Sequence, residues 1–511
     1  MAPAAEVIES RTAVTSELHA AVKQSFIWGL GGVLAKAASF LMLPLYTHYL
    51  APSDYGVWEL LDLSMSLLGM LLNMGLTASI LKHYAAAETQ EDRRRIIGTS
   101  LVFALLTGSV VLAVGSALIP AATRALFGKG FSSIYLFVSL AQSVMAYVAN
   151  VPYTLMRARN QAQRLVAYDT GVLVFILILN IYLVVFLKLG LLGVLLSPVL
   201  VGTVKTIVLF VNTRHGFGMS IDPKRLRQLL AFGAPLVLSN LTMFVLNFSD
   251  RFFLREFRSL ETVGIYAVGY KFGFMLNFLV IQSFNMMWQV RMYVIYKQAD
   301  HRRIFQHIFV LYSLVLIGSG LGLALFGPAT IPVLVDQRYI GAATVIPVVT
   351  LAYIFLGIGY FLQVGMFLAS QTMLVGMVSA MASLVNLVLN YVLIRSFGMT
   401  GAAWATLLGF LTLAIGSYFF SERVCPLRLG VGRVIKALLL AVGAYLISQW
   451  QVSPALWAIL LWKALWLVGF GASVWAAGVL SADEIATLID VKEKGLKLTS
   501  RWLKPAWLGR S

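Results

Sequence analysis

The chain has 511 residues, 59% of them hydrophobic and 12% charged, with a mean hydropathy of +0.85 and a formal charge of +18. A soluble domain carries roughly 45 to 50% apolar residues, so a water-soluble fold is excluded and a polytopic membrane protein is implied. Lys and Arg lie between apolar runs instead of forming one soluble basic face, which removes nucleic acid as the reason for the charge, and the one cysteine, Cys425, excludes an intrachain disulfide.

Only helices or closed barrels satisfy their backbone in hydrocarbon, and a helix needs about 20 apolar residues to cross. The apolar runs here are continuous rather than alternating, so the fold class is all-α. Residues 1 to 24 contain Glu6, Glu9, Arg11 and Glu17 and lack the form of a cleaved signal peptide, so the first membrane helix is expected to act as its own insertion signal. Fourteen spans are predicted, at about 25–49, 55–81, 96–121, 132–156, 165–187, 190–213, 230–254, 262–290, 304–328, 340–368, 372–396, 399–421, 433–450 and 455–480. An even number returns both ends to one side. The positive-inside rule makes that side cytoplasmic, through clusters at Arg93–Arg95, Arg157–Arg164, Lys224–Arg227, Arg302–Arg303, Arg428–Lys436 and the tail from Lys492 to Arg510. Arg251, Arg255 and Arg258 fall outside and are the main exception, partly offset by Glu256 and Glu261.

Between spans six and seven, residues 214–229 form a linker whose Lys224, Arg225 and Arg227 surround Leu226 and Leu229, the pattern of an amphipathic helix on the inner surface. The basic tail, residues 481–511, lies on anionic lipid or is simply solvated.

An internal repeat organises the chain. Asp54, Tyr55, Gly56, Val57, Trp58 is echoed by Thr262, Val263, Gly264, Ile265, Tyr266, an interval of about 208 residues. Asp92–Ile96 matches Asp300–Ile304 at that interval, Gly190 and Gly193 match Gly398 and Gly401, and Gln161 and Asn180 match Gln371 and Asn390 two residues off it. Six spans per repeat make the halves parallel copies, an N-lobe at 25–213 and a C-lobe at 230–421, with spans 13 and 14 (433–480) as an appendage.

No phosphate-binding loop, zinc-ligand spacing or nucleophile elbow is present, and the six histidines form no cluster, so transport rather than catalysis is expected, with no cofactor and no metal site. The candidate site is therefore sought among charges in or beside the spans, which are costly there and mark function or pairing. Lys36 in span one and Lys271 in span eight either line one cavity from opposite halves, where fixed positive charge would receive a diphosphate or acidic sugar, or serve as structural ion pairs or buried neutral lysines. Arg251 and Arg291, at the outer end of span seven and the inner end of span eight, are further substrate-binding candidates. Lys205 and Lys463 read as snorkelling side chains. Glu59 and Asp62 share a helix face and, with Asp250, are candidates for ion coupling by a proton or sodium; Asp250 beside Arg251 is alternatively no more than a local pair. Amides are frequent, and Asn277, Gln282, Asn285 and Gln289 mark a stripe on span eight. They either hydrogen-bond between helices or bind sugar hydroxyls.

The runs SFIWGLGGVLAKAASFLMLPLYTHYLAPSDYGVWELL, LLAFGAPLVLSNL and FGMTGAAWATLLGF resemble the polysaccharide transporter family, the lipid-linked oligosaccharide flippases of the multidrug/oligosaccharidyl-lipid/polysaccharide exporter superfamily. The resemblance implies two six-helix lobes that alternate between inward-open and outward-open forms in a bacterial inner membrane. It implies an undecaprenyl-diphosphate-linked oligosaccharide as substrate, moved to the outer leaflet for exopolysaccharide, capsule or O-antigen synthesis, with a polymerase and glycosyltransferases of that pathway as partners. The cationic lumen of such flippases fits Lys36 and Lys271, and their coupling acid in span two fits Glu59 or Asp62. The two extra spans resemble those of the peptidoglycan-precursor flippases, where they form a groove for the lipid tail. Lysines stand where bidentate diphosphate binding would favour arginines. The competing expectations are an exporter of small amphipathic drugs, a peptidoglycan lipid-precursor flippase, and a membrane glycolipid polymerase, which would need a large outward loop that the sequence lacks.

Overall fold

A computed structural model of the chain describes residues 40–128, 130–218, 221–450, 455–481 and 484. Among them there are helices and no strands. Lys36, most of span one, and the basic tail beyond residue 484 lie outside the described residues.

Among the described residues, twelve continuous helices are long and apolar enough to cross a membrane. They are Pro52–Ala86, Gln90–Phe127, Ser133–Ala158, Ala162–Phe186 and Gly190–Gly216 (spans two to six), then Pro223–Phe257, Leu260–Tyr296, His301–Leu334 and Ile346–Leu368 (spans seven to ten), Thr372–Val424, Val431–Ser448 and Leu456–Ala476. Thr372–Val424 is two spans. At Gly398 the backbone turns to φ 60° and ψ −132°, a conformation that costs glycine least. The arms then fold back antiparallel, with Asn386 Nδ2 donating to the Ala405 carbonyl at 3.0 Å. With Leu43–Tyr49 as the visible end of span one, the arrangement is consistent with fourteen spans. The amphipathic segment after residue 221 is the first part of the long span-seven helix, capped by Asp222, whose carboxylate accepts from the Lys224 and Arg225 amides.

The repeat is visible in backbone geometry. Asn160 and Ser370 both take a positive φ, and the Gln161 and Gln371 amides reach back to the Met156 and Met366 carbonyls at 3.0 and 2.8 Å, so the same helix-ending turn closes spans four and ten. Gly190 and Gly398, both at positive φ, open spans six and twelve.

The two lobes meet at two levels. At one, spans two and eight cross so closely that a methyl group on Gly56 would stand 1.9 Å from the Leu260 carbonyl oxygen, and one on Gly264 2.0 Å from that of Pro52; the repeated glycine is the crossing point of the repeat. At the other, Gly75, in the break within span two, meets Gly233 of span seven, where a methyl on either would stand 2.2 Å from a backbone oxygen. Spans 13 and 14 pack on span nine. Lys463 is 5% exposed and donates to the Leu325 carbonyl of span nine at 2.7 Å, so its ammonium turns to a neighbouring helix instead of reaching out along its own. Lys205 pairs with Asp169 at 2.7 Å. Outward-facing Val110, Leu118, Phe175, Val204, Val388 and Leu465 are exposed, an apolar exterior that suits lipid.

Candidate functional site

The crossing of spans two, seven and eight carries the charges. Arg251 is 1% exposed, enclosed by protein in the last turns of span seven. Its Nη1 donates to Asp250 Oδ1 at 2.6 Å and to the Asn247 carbonyl at 2.9 Å, and the guanidinium lies 3.7 Å from the Tyr270 ring centre. Nε stands 3.6 Å from Glu59 Oε1, an ion pair too long for a hydrogen bond. That pair spans the lobes: Glu59 belongs to span two, Arg251 to span seven.

Asp250 is more than a local partner. Oδ2 accepts from the Tyr266 hydroxyl at 2.6 Å and from Thr406 Oγ1 at 3.3 Å. Beside it, Ser249 Oγ donates to Asn386 Oδ1 at 3.3 Å, and Asn390 Nδ2 donates to Asn386 Oδ1 at 2.9 Å and Ser249 Oγ at 3.2 Å. A buried carboxylate is tolerable when paired and hydrogen-bonded in this way.

Lys271 crosses from span eight to span two, where its ammonium donates to the Tyr55 hydroxyl and lies 5.1 Å from the Trp58 ring centre. The Glu59 and Asp62 carboxylates are close enough to act on it electrostatically. Among the described residues two cations, Arg251 and Lys271, thus face three carboxylates, Glu59, Asp62 and Asp250, so the positive field expected of this region is offset by one more acid than base. Asp62 is exposed into a cavity of about 680 Å³ within the N-lobe. Tyr46, Trp58, Asn73, Gln142, Asn150 and Asn180 also line it, and among the described residues no Lys or Arg does.

A second cavity, of about 510 Å³, is apolar apart from Ser319 and Thr330 and runs between spans eight and nine past Phe40, Phe272, Leu279 and Phe326. Gln282 and Asn285 line a third, of about 360 Å³. Asn277 is 8% exposed and lines none of these three. Arg291 is exposed and equally apart from them. The structure therefore joins Glu59, Asp62, Asp250, Arg251 and Lys271, separates Gln282 and Asn285 from them, and leaves Arg291 alone.

Sequence reasoning missed the aromatic cage. Tyr55, Trp58, Tyr266 and Tyr270 hold the cations, and the echo of Trp58 by Tyr266 was a signal: an aromatic kept at the same place beside each repeated glycine.

Two helical lobes of parallel topology, joined through a buried ionic cluster, define a polytopic all-helical membrane fold. The chain belongs to the polysaccharide biosynthesis protein family, which it matches over residues 21–288. Its fold is similar to that of the lipid II flippase MurJ in an inward closed conformation, with a TM-score of 0.69 and 13% identity over 90% of this chain and 100% of that one. It is also similar to an inward-facing multidrug resistance MATE family transporter of the MOP superfamily, with a TM-score of 0.62 and 16% identity over 78% of this chain and 95% of that one. An outward-facing member gives 0.57 and 14% over 79% and 95%. No curated protein sequence matches the chain.

Proposed function

We propose that the protein is a flippase for polyprenyl-diphosphate-linked oligosaccharides, of the undecaprenyl type, moving them from the inner to the outer leaflet of a bacterial inner membrane by alternating access, with both chain termini cytoplasmic. The observation that carries this reading is the pairing, on one helix, of a lysine at the lobe crossing with an apolar groove. Lys271 offers a cation to a diphosphate, and the groove past Phe272 and Leu279 offers about 510 Å³ of apolar wall to a polyprenyl tail. Family membership and the MurJ-like fold support it. Lys36 is proposed as the second cation of the diphosphate site, and Arg291, twenty residues beyond Lys271 on span eight and roughly 30 Å away at 1.5 Å per residue, as a separate cation on the substrate's path.

Coupling to a proton or sodium gradient is assigned to the carboxylates. Glu59 sees Arg251 across the lobe boundary, so neutralising it removes an attraction that holds the lobes together; ion binding and lobe separation are then linked. Asp62 opens into a polar cavity, and Asp250 anchors Arg251.

A second reading has its own observation. The N-lobe cavity combines Asp62 with Tyr46, Trp58 and Tyr147 and, among the described residues, has no cation in its lining, which suits a small amphipathic cation. Purified protein in liposomes separates the two. A fluorescent undecaprenyl-diphosphate oligosaccharide should reach the opposite leaflet, at least tenfold more slowly with Lys271→Ala. Movement of cationic dyes without movement of the glycolipid would establish the drug-exporter reading instead.

A further inference from the structure

The third cavity, of about 360 Å³, lies in the C-lobe between spans eight and ten, at the small end of the roughly 300 to 1,000 Å³ that ligand pockets occupy. Span eight enters it through an i→i+5 helical turn, Asn277–Gln282, before resuming as Ser283–Tyr296; such turns gather at functional sites. Beyond it Gln282, Asn285 and Gln289 follow at intervals of three and four, on one face. Span ten contributes Gln363 from the joint between Ile346–Leu362 and Val364–Leu368.

The amides in this cavity do not behave like those elsewhere in the lobe. Asn386 and Asn390 are buried and bonded to Ser249 and the Ala405 carbonyl. Among the described residues none of the four cavity amides hydrogen-bonds through its side chain to another protein group. Gln363, 5% exposed, keeps Nε2 as a buried donor without a partner, and so does the Nε1 of Trp288, also 5% exposed. A buried donor left unsatisfied costs about 1 to 3 kcal/mol, and two at one cavity call for an explanation that interhelical bonding does not supply.

We propose that this cavity is a subsite for an uncharged sugar of the oligosaccharide, with the amides of Gln282, Asn285, Gln289 and Gln363 as two-way hydrogen-bonding partners. The inference rests on the flippase reading and adds to it the class of sugar. Each primary amide offers donors and an acceptor, which matches hydroxyl and N-acetyl groups that do both. Met286, Met292 and Phe367 supply apolar wall for the ring faces. Among the described residues no Lys, Arg, Asp or Glu lines the cavity, so a uronate brought there would lose its hydration without gaining a cation from them. Lys271 lies eleven residues back along span eight, roughly 16 Å at 1.5 Å per residue, so the subsite and the diphosphate site are separate.

The test is binding of free disaccharides to the purified full chain by calorimetry, with N,N′-diacetylchitobiose and cellobiose as neutral probes and digalacturonic acid as the charged one. At least one neutral disaccharide should bind, at least tenfold more tightly than the acidic one and with little dependence on salt. Gln363→Leu should weaken that binding at least tenfold while raising the unfolding temperature, since it removes an unpaired buried donor; a purely structural glutamine would show the reverse on stability. Gln289→Ala, at an exposed position, should weaken binding without altering stability. Absence of binding by either neutral disaccharide, or tighter binding of the acidic one, overturns the proposal. Because the assay involves no transport, its result is independent of whether glycolipid flipping is observed.

Discussion

The two lobes share one repeat pattern and differ in how their polar side chains are arranged beside the crossing. In the N-lobe, Asp62, Asn73, Gln142, Asn150 and Asn180 stand around a cavity of about 680 Å³. In the C-lobe, Asp250, Arg251, Asn386, Asn390 and Thr406 close into a bonded network with Arg251 1% exposed. Span ten has 72% of its most apolar window buried, against 17% for spans three and five. The appended spans 13 and 14 add to that cover by packing on span nine. The difference teaches that a duplicated scaffold can diverge at equivalent depths: one half lines a cavity beside the crossing with polar side chains, and the other closes its polar side chains there around a fixed charge.

The largest effect should come from the closed network. Arg251→Met strands Asp250 and Glu59 without their cation, and breaking a buried pair costs about 3 to 5 kcal/mol; thermal unfolding in detergent should show that loss, and a change below about 1 kcal/mol would mean that the network does not hold the C-lobe. Next, Asn386→Ala and Asn150→Ala should part company. Asn386 bonds the Ala405 carbonyl from a fully enclosed position, so its loss should cost about 1 to 3 kcal/mol. Asn150, bonded to Thr77 Oγ1 at 2.7 Å, lines a cavity roomy enough for water to take its place, so its loss should stay under about 1 kcal/mol. Equal costs would erase the contrast between the lobes.

The smallest effect is at the rim. Arg338, in the turn Gln337–Thr344 of the C-lobe, donates to the Thr47 and His48 carbonyls at the end of span one, and its hydrogen bond to Asp336 holds that carboxyl below its ordinary value of 3.8. A depressed carboxylate contributes stability that is present above 3.8 and lost as pH falls through the lower folded value. Amide exchange at Gln337–Thr344 should therefore be flat from pH 8 to 5 and quicken, relative to intrinsic rates, only below about pH 4; Asp336→Asn should abolish the acid response.

Much of this fold was legible because its signals are local. Long apolar runs dictate helices, and the paired turns at Asn160 and Ser370 and at Gly190 and Gly398 repeat because each ends or opens a helix in the same way. The site was legible only in its members. Arg251 read as an outward exception because counting charges near span ends registers a guanidinium but not its partners, and Glu59, Tyr266 and Tyr270 reach it only through the fold. The amides show the same limit: Asn386 and Gln363 are similar groups in similar helices, one satisfied and one not, and only packing distinguishes them. Tyr55 and Trp58 were overlooked because aromatics are common in membrane helices, and their role depends on Lys271 arriving from the other lobe.

The central claim is that N-lobe carboxylates couple an ion gradient to glycolipid movement across a crossing held by Arg251. The most direct measurement is the rate at which a fluorescent undecaprenyl-diphosphate oligosaccharide changes leaflet in liposomes with and without an imposed pH or sodium gradient, in the wild type, Glu59→Gln and Asp62→Asn. The account predicts acceleration by one of the gradients in the wild type and loss of that acceleration in both variants. A full gradient response retained by both variants would contradict it.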